Sequence, residues 1–181
     1  LANRALGIDA RHFRIYVVLS LANFWRGDLN KAVDAGRKAV ALNPSSAEAY
    51  QSLSIALCHL GVAHEAEECA RICLKLTPID PSLHRFQFLL AQALLGQRRF
   101  GESLEQLMRA LSARPHDVVL LGHRTVLLGH LGRTEEARAC LGEYLGKRGF
   151  SSADDYRKLY VRNSALTELN LEGLRKAGWE V

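Results

Sequence analysis

The segment 50–78, YQSLSIALCHLGVAHEAEECARICLKLTP, repeats the plan of the segment 16–44, YVVLSLANFWRGDLNKAVDAGRKAVALNP. At a spacing of 34 residues, Tyr16 is answered by Tyr50, Leu19 by Leu53, Ser20 by Ser54, Gly27 by Gly61, Ala32 by Ala66, Ala39 by Cys73 and Pro44 by Pro78. Seven size-matched pairs at one period mark an internal repeat. The series continues with slippage: Pro115 follows Pro78 by 37, Ser103 and then Ala137 answer Ala66, and Gly96 and Gly132 continue the glycines.

The residue types suit a helix–turn–helix unit. Ser20, Ala32 and Ala39, then Ser54, Ala66 and Cys73, are small where two helices must approach; Tyr16, Leu19, Tyr50 and Leu53 fill the spaces between. Glycine after the first helix of each pair suits a left-handed C-terminal cap. Proline after the second stops it. No stretch alternates with period two for long enough to be a strand, so the chain reads as all-α.

On these residues the chain resembles the tetratricopeptide repeat (TPR), whose pattern is W-x2-L-G-x2-Y, then A-x3-F, then P. The first full unit reads Tyr16-x2-Leu19-Ser20-x2-Asn23, Ala32-x3-Gly36, Pro44, and the second Tyr50-x2-Leu53-Ser54-x2-Leu57, Ala66-x3-Ala70, Pro78. The third, Gln87-x2-Leu90-Ala91-x2-Leu94, Ser103-x3-Leu107, Pro115, has a lengthened turn. The fourth keeps Leu128, Gly132, Ala137 and Leu141, places Arg124 at a core-type position and lacks the closing proline. The resemblance implies a TPR-type α-solenoid, a right-handed superhelix of antiparallel helix pairs. Its array spans 1–150: a partial repeat over 1–11, then four repeats at about 12–44, 45–78, 79–115 and 116–150. Residues 151–181 follow as C-terminal capping helices. Projecting the period backwards makes 1–10 the second helix of an earlier repeat and the chain a piece of a larger protein.

Local signals place several helix starts. Ser45 with Glu48 has capping-box spacing and opens a helix to about Leu60. Asp80-Pro81 opens the next, to about Leu95. Asp28 is placed to cap the second helix of the first unit, and Glu135-Glu136 favour another start. Ser151, Ser152 and Asp155 open a short helix to about Tyr160. Asn163 or Ser164 caps a last helix with Leu166, Leu169 and Leu174 on one stripe and Gly178 as its stop.

The end of the chain departs from the repeat. Residues 171–179, Leu-Glu-Gly-Leu-Arg-Lys-Ala-Gly-Trp, are similar to the tail closing the TPR arrays of bacterial proteins that begin with a class III adenylate/guanylate cyclase domain. That resemblance implies a cyclase domain upstream; none of its metal-binding residues is present, so no catalytic role carries over. The plainer reading is a solenoid cap with its apolar face on the last repeat.

Of the 181 residues, 48% are apolar and 24% charged, as in a soluble globular protein. No stretch approaches the roughly 18–20 apolar residues of a membrane span. The net charge of +5 is spread, with 10 basic and 8 acidic groups over 1–90 against 14 and 11 over 91–181. A nucleic-acid binder concentrates such charge in a stripe with aromatics interleaved, so none is expected as a partner. Cys58, Cys69, Cys73 and Cys140 form no CxxC pair or zinc spacing. They read as buried reduced thiols and point to a cytoplasmic protein without metal or cofactor. His123 and His130 lack the intervening Glu of zinc hydrolases, and no Gly-rich phosphate loop or Ser-His-Asp spacing is present. Catalysis is not expected.

In the TPR family, ligands lie in the concave groove lined by the first helices. Mapped onto this chain, the groove positions are Arg14, Val17, Leu21 and Phe24 in the first unit and Glu48, Gln51, Ile55 and His59 in the second. The third supplies Arg85, Phe88 and Gln92, and the fourth Val126 and His130. The family's carboxylate clamp needs Lys and Asn where this chain has Val17 and Leu21, so chaperone C-termini are not the expected ligand. A mixed apolar and basic groove suits a segment with apolar side chains and some acidic character. The same residues also fit packing against an upstream repeat or the tail. Two functions follow: a scaffold binding a peptide or partner protein, or a regulatory or homodimerising segment of a cyclase signalling protein.

Overall fold

The computed structural model describes residues 12–79, 81–150, 152–159 and 164–180. The expected partial repeat over 1–11 and the roles given to Asp80, Ser151, Tyr160 and Asn163 lie outside the described residues. Those described form ten helices and no strand: α1 (Phe13–Trp25), α2 (Leu29–Leu42), α3 (Ala47–Leu60), α4 (Ala63–Leu76), α5 (Leu83–Gly96), α6 (Phe100–Ala113), α7 (Val118–His130), α8 (Thr134–Arg148), α9 (Ala153–Leu159) and α10 (Ala165–Lys176). The first eight pair in order as four hairpins, and each second helix also packs on the first helix of the next hairpin.

That arrangement explains two kinds of sequence. The first helices are apolar around most of their circumference because they meet neighbours on several sides; α3 buries Ala49, Ser52, Leu53, Ala56 and Leu57. The second helices are one-sided, as expected where one face meets water; α6 buries only Ser103, Leu107, Ala110 and Leu111. The first hairpin has no described hairpin before it, and Val18 and Trp25 are exposed there.

Within hairpins the small residues bring helices together through hydrogen bonds. The Ser20 hydroxyl donates to the Ala32 carbonyl at 2.8 Å, and Ser54 donates to Ala66 at 2.8 Å. Between hairpins, a Cβ on Gly36 would lie only 3.0 Å from the Leu53 backbone, so Gly36 sets the approach of α2 to α3.

Caps correct the sequence expectations in four places. Ser46, not Ser45, caps α3, its Oγ accepting from the Ala49 amide at 3.2 Å. The helix after the lengthened turn starts at Leu83, behind Ser82. Asp28 precedes α2 without a side-chain cap bond, and its carboxylate lies 3.7 Å from Arg26 instead. Most consequentially, Gly96 is the last residue of α5, and the left-handed position of the third hairpin belongs to Arg98 (φ +59°). Three extra residues before α5 shift that register from 34 to 37, so Arg98 is the counterpart of Gly61 (φ +91°).

The C-terminal helices also differ from a simple end cap. Phe150, Tyr144, Tyr156 and Trp179 form an aromatic cluster behind α8, with ring centroids 5.5–6.4 Å apart. The helix α10, capped by Ser164 Oγ accepting from the Thr167 amide at 3.0 Å, packs on α3, α5 and α7. Its buried leucines are Leu166, Leu171 and Leu174; Leu169 of the expected stripe is only half-buried, and Leu171 takes the inward place.

Candidate functional site

The first helices α1, α3 and α5 also pack on one another in succession, and the face they share is where the sequence expectation puts the groove. The last helix lies across this face near their C-terminal ends. Ala165 borders Gly61 after α3, Glu172 pairs with Arg98 after α5 at 3.2 Å, and Gly173 crosses α7 at Gly129. A Cβ on Gly129 would collide with the Gly173 carbonyl oxygen, and one on Gly173 would lie 2.6 Å from the Val126 oxygen. Only backbone against backbone allows this crossing. Leu166, Leu171 and Leu174 share one core with the hairpins, which makes α10 a fixture of the groove.

Two histidines secure it. His59 Nδ1 lies 2.9 Å from the Ser164 hydroxyl, and its ring meets Phe24 edge-on at 4.8 Å. His130 stacks on Phe100 at 4.3 Å and, through Nε2–H, donates to the Leu169 carbonyl at 3.0 Å. That tautomer leaves Nδ1 as an acceptor 3.5 Å from the Lys176 ammonium. A third histidine, His123, donates from Nδ1 to the Val119 carbonyl at 3.0 Å and supports Phe88 edge-on at 4.6 Å. Burial pushes His59 and His123 down to about 4, so both are neutral at pH 7, and burial lowers His130 as well.

The thirteen groove positions therefore divide. His59, Val126 and His130 lie under or against α10, and Val126 is 1% exposed. Phe24 is buried against His59; at a spacing of 34 the counterpart of His59 is Trp25, so the sequence mapping is one residue out of register there. The rest gather where α10 does not reach, toward the N-terminal ends of the first helices. A cleft of about 390 Å³ takes in Val17, Leu21, Glu48, Gln51, Ile55 and Arg85. An adjoining one of about 300 Å³ takes in Gln51, Ile55, Arg85, Phe88 and Gln92. Arg14 stands at the rim, 3.5 Å from Glu48.

Sequence reasoning missed Asp117, Val119 and Leu120, which close the second cleft. Val119 follows Arg85 by 34 residues, so the period already carried the signal for it. Among the described residues no set of three or more His, Cys, Asp or Glu side chains could hold a metal ion, and no helix is long and apolar enough to cross a membrane. The four thiols are buried, and burial pushes those of Cys58, Cys69 and Cys73 up to about 12.

No protein-family model matches the sequence, and no curated protein does. Solved structures do. PilW, a type IV pilus biogenesis factor, superposes with a TM-score of 0.75 at 20% identity, covering 97% of this chain and 78% of its own. A TPR protein of Thermus thermophilus, TTC0263, gives 0.67 at 20% identity over 91% of this chain and 87% of its own. YrrB, a TPR protein with an unusual peptide-binding site, gives 0.61 at 15% identity over 97% and 92%. The fold is thus the TPR-type α-solenoid. Identities this low define the fold alone. Nothing in these comparisons supports the likeness of the tail to cyclase-linked arrays, and the seat of α10 in the groove gives Leu171, Gly173, Leu174 and Trp179 packing roles of their own.

Proposed function

We propose that this chain is a protein–protein interaction scaffold, holding a peptide or partner segment in the strip of concave groove beside α10. The observation that carries this reading is the pair of adjoining clefts with shared Gln51, Ile55 and Arg85. Their floors are apolar, their rims polar, and they are concave, as ligand sites are. The helices beneath are held by the hairpin core, so the surface is formed before a partner arrives. Such preorganisation lowers the entropic cost of association.

The test is selection of displayed random peptides on the folded protein, followed by amide chemical-shift mapping with the enriched sequences. Shifts centred on Gln51, Ile55, Arg85 and Phe88 are the expected result. Binders that map to the convex helices α2, α4 and α6, or an absence of enrichment, would contradict it.

A further inference from the structure

We infer that the segment taken by this groove is extended and acidic, with two apolar side chains two positions apart flanking a carboxylate residue. This rests on the groove reading above and specifies its ligand.

The ionic groups around the clefts decide the charge. Glu48 is engaged by Arg14, and Asp117 is engaged as the cap of α7, its Oδ1 accepting from the Val119 and Leu120 amides at 2.8 and 3.2 Å. The Arg85 guanidinium is exposed and has no ion pair or hydrogen bond among the described residues. It lines both clefts, at the junction they share with Gln51 and Ile55. A planar fork of donors in that place matches a carboxylate in two parallel hydrogen bonds.

Backbone chemistry decides the conformation. The Gln51 amide sits half-buried at the same junction and has no partner among the described residues. A helical ligand satisfies its own N–H and C=O groups along its length, whereas an extended one offers both to a side-chain amide. Width agrees. A helix with side chains measures about 10–12 Å across, and α10 already occupies the neighbouring strip. Clefts of about 300 and 390 Å³ are sized for a few side chains each.

The spacing follows from extended geometry. Residues i and i+2 face the same way about 7 Å apart, and residue i+1 faces the opposite way. Apolar side chains at i and i+2 enter the two clefts, and the intervening Asp or Glu meets Arg85 at the rim.

The experiment compares wild type with Arg85→Glu, an exposed substitution outside the core, using the displayed library and two fluorescein-labelled peptides, GGLDLGG and GGLKLGG. The library on wild type should enrich an apolar–acidic–apolar core, and R85E should change the middle residue to Lys or Arg. By fluorescence anisotropy at low salt, wild type should prefer the Asp peptide by about tenfold or more, with the preference inverted in R85E. Gln51→Ala should weaken both complexes alike. Groove-mapped binders without an acidic residue, or the same preference in wild type and R85E, would overturn this inference while leaving the groove reading intact. Binders that map elsewhere would overturn both.

Discussion

Ser103 and Ala91 exchange the roles that their counterparts hold one hairpin earlier. The Ser103 hydroxyl on α6 donates back to the Ala91 carbonyl on α5 at 2.6 Å, whereas Ser54 on α3 donates forward to Ala66 on α4 at 2.8 Å. All four residues are buried. In the first three hairpins one small hydroxyl bridges the two helices, from either side; in the fourth the counterpart, Thr125, donates within its own helix to the Leu121 carbonyl at 3.1 Å.

Ser54→Ala and Ser103→Ala should each destabilise the protein by about 1 kcal/mol, the net value of a buried hydrogen bond. The double exchange Ala91→Ser with Ser103→Ala should recover most of the second loss. Ala91→Leu should cost about 1–3 kcal/mol by overpacking. Urea unfolding at pH 7 measures all four. A double exchange that sums two losses would show that the two sides are not equivalent.

Arg98 holds a left-handed backbone where the other hairpins place glycine. For a side chain this costs about 1 kcal/mol or more. Its exposed ion pair with Glu172 returns no more than about 1 kcal/mol. Arg98→Gly should therefore leave thermal stability unchanged or slightly raised, and Glu172→Gln alone should have little effect. A clear loss in Arg98→Gly would mean that the arginine anchors α10 far more strongly than an exposed pair does.

The crossing of α7 and α10 should tolerate no side chain. Gly129→Ala should destabilise by about 1–3 kcal/mol or more, because the methyl meets backbone that cannot rotate away. Gly142→Ala in α8, where nothing lies within 4 Å of the added Cβ, should stabilise by about 0.5–1 kcal/mol. Trp179, 7% exposed and just past α10, reports on the seating of that helix once the exposed Trp25 is changed to Phe. In that background Gly129→Ala should shift emission to the red, and Gly142→Ala should not.

Acid should weaken the fold through His59 and His123. Their folded values near 4 lie below the unfolded value of about 6.5. The unfolded chain then binds more protons in that window, so stability is full above about pH 6.5 and falls as the pH drops toward 4. The loss is up to about 3 kcal/mol for each ring. Urea midpoints between pH 7 and 4 follow it. His123→Gln should lower stability at pH 7 and flatten the slope; an unchanged slope would place the titration elsewhere.

Much of the fold was legible because stacked hairpins repeat their demands. Pairs such as Ser20 and Ser54, or Gly27 and Gly61, occupy the same position twice and are visible as a period. The Arg98 turn was hidden because the three-residue insertion moved the left-handed position away from the nearest glycine. The groove was half legible for a related reason. Positions such as Gln51, Phe88 and Arg85 follow from the register, but what covers their neighbours depends on α10, which belongs to no repeat. The Gly129–Gly173 crossing joins residues 44 apart in the chain through backbone contact, and no local pattern encodes that.

The helix α10 covers one part of the face shared by the first helices and leaves an open strip beside it. Nuclear Overhauser contacts in the isotope-labelled protein test this arrangement most directly, because Gly129 and Gly173 have only backbone to bring together. Contacts from the Gly173 α-protons to those of Gly129 and to the Val126 side chain are expected, with α10 amides protected from exchange. Absence of those contacts, with α10 amides exchanging as fast as an undocked helix, would contradict it.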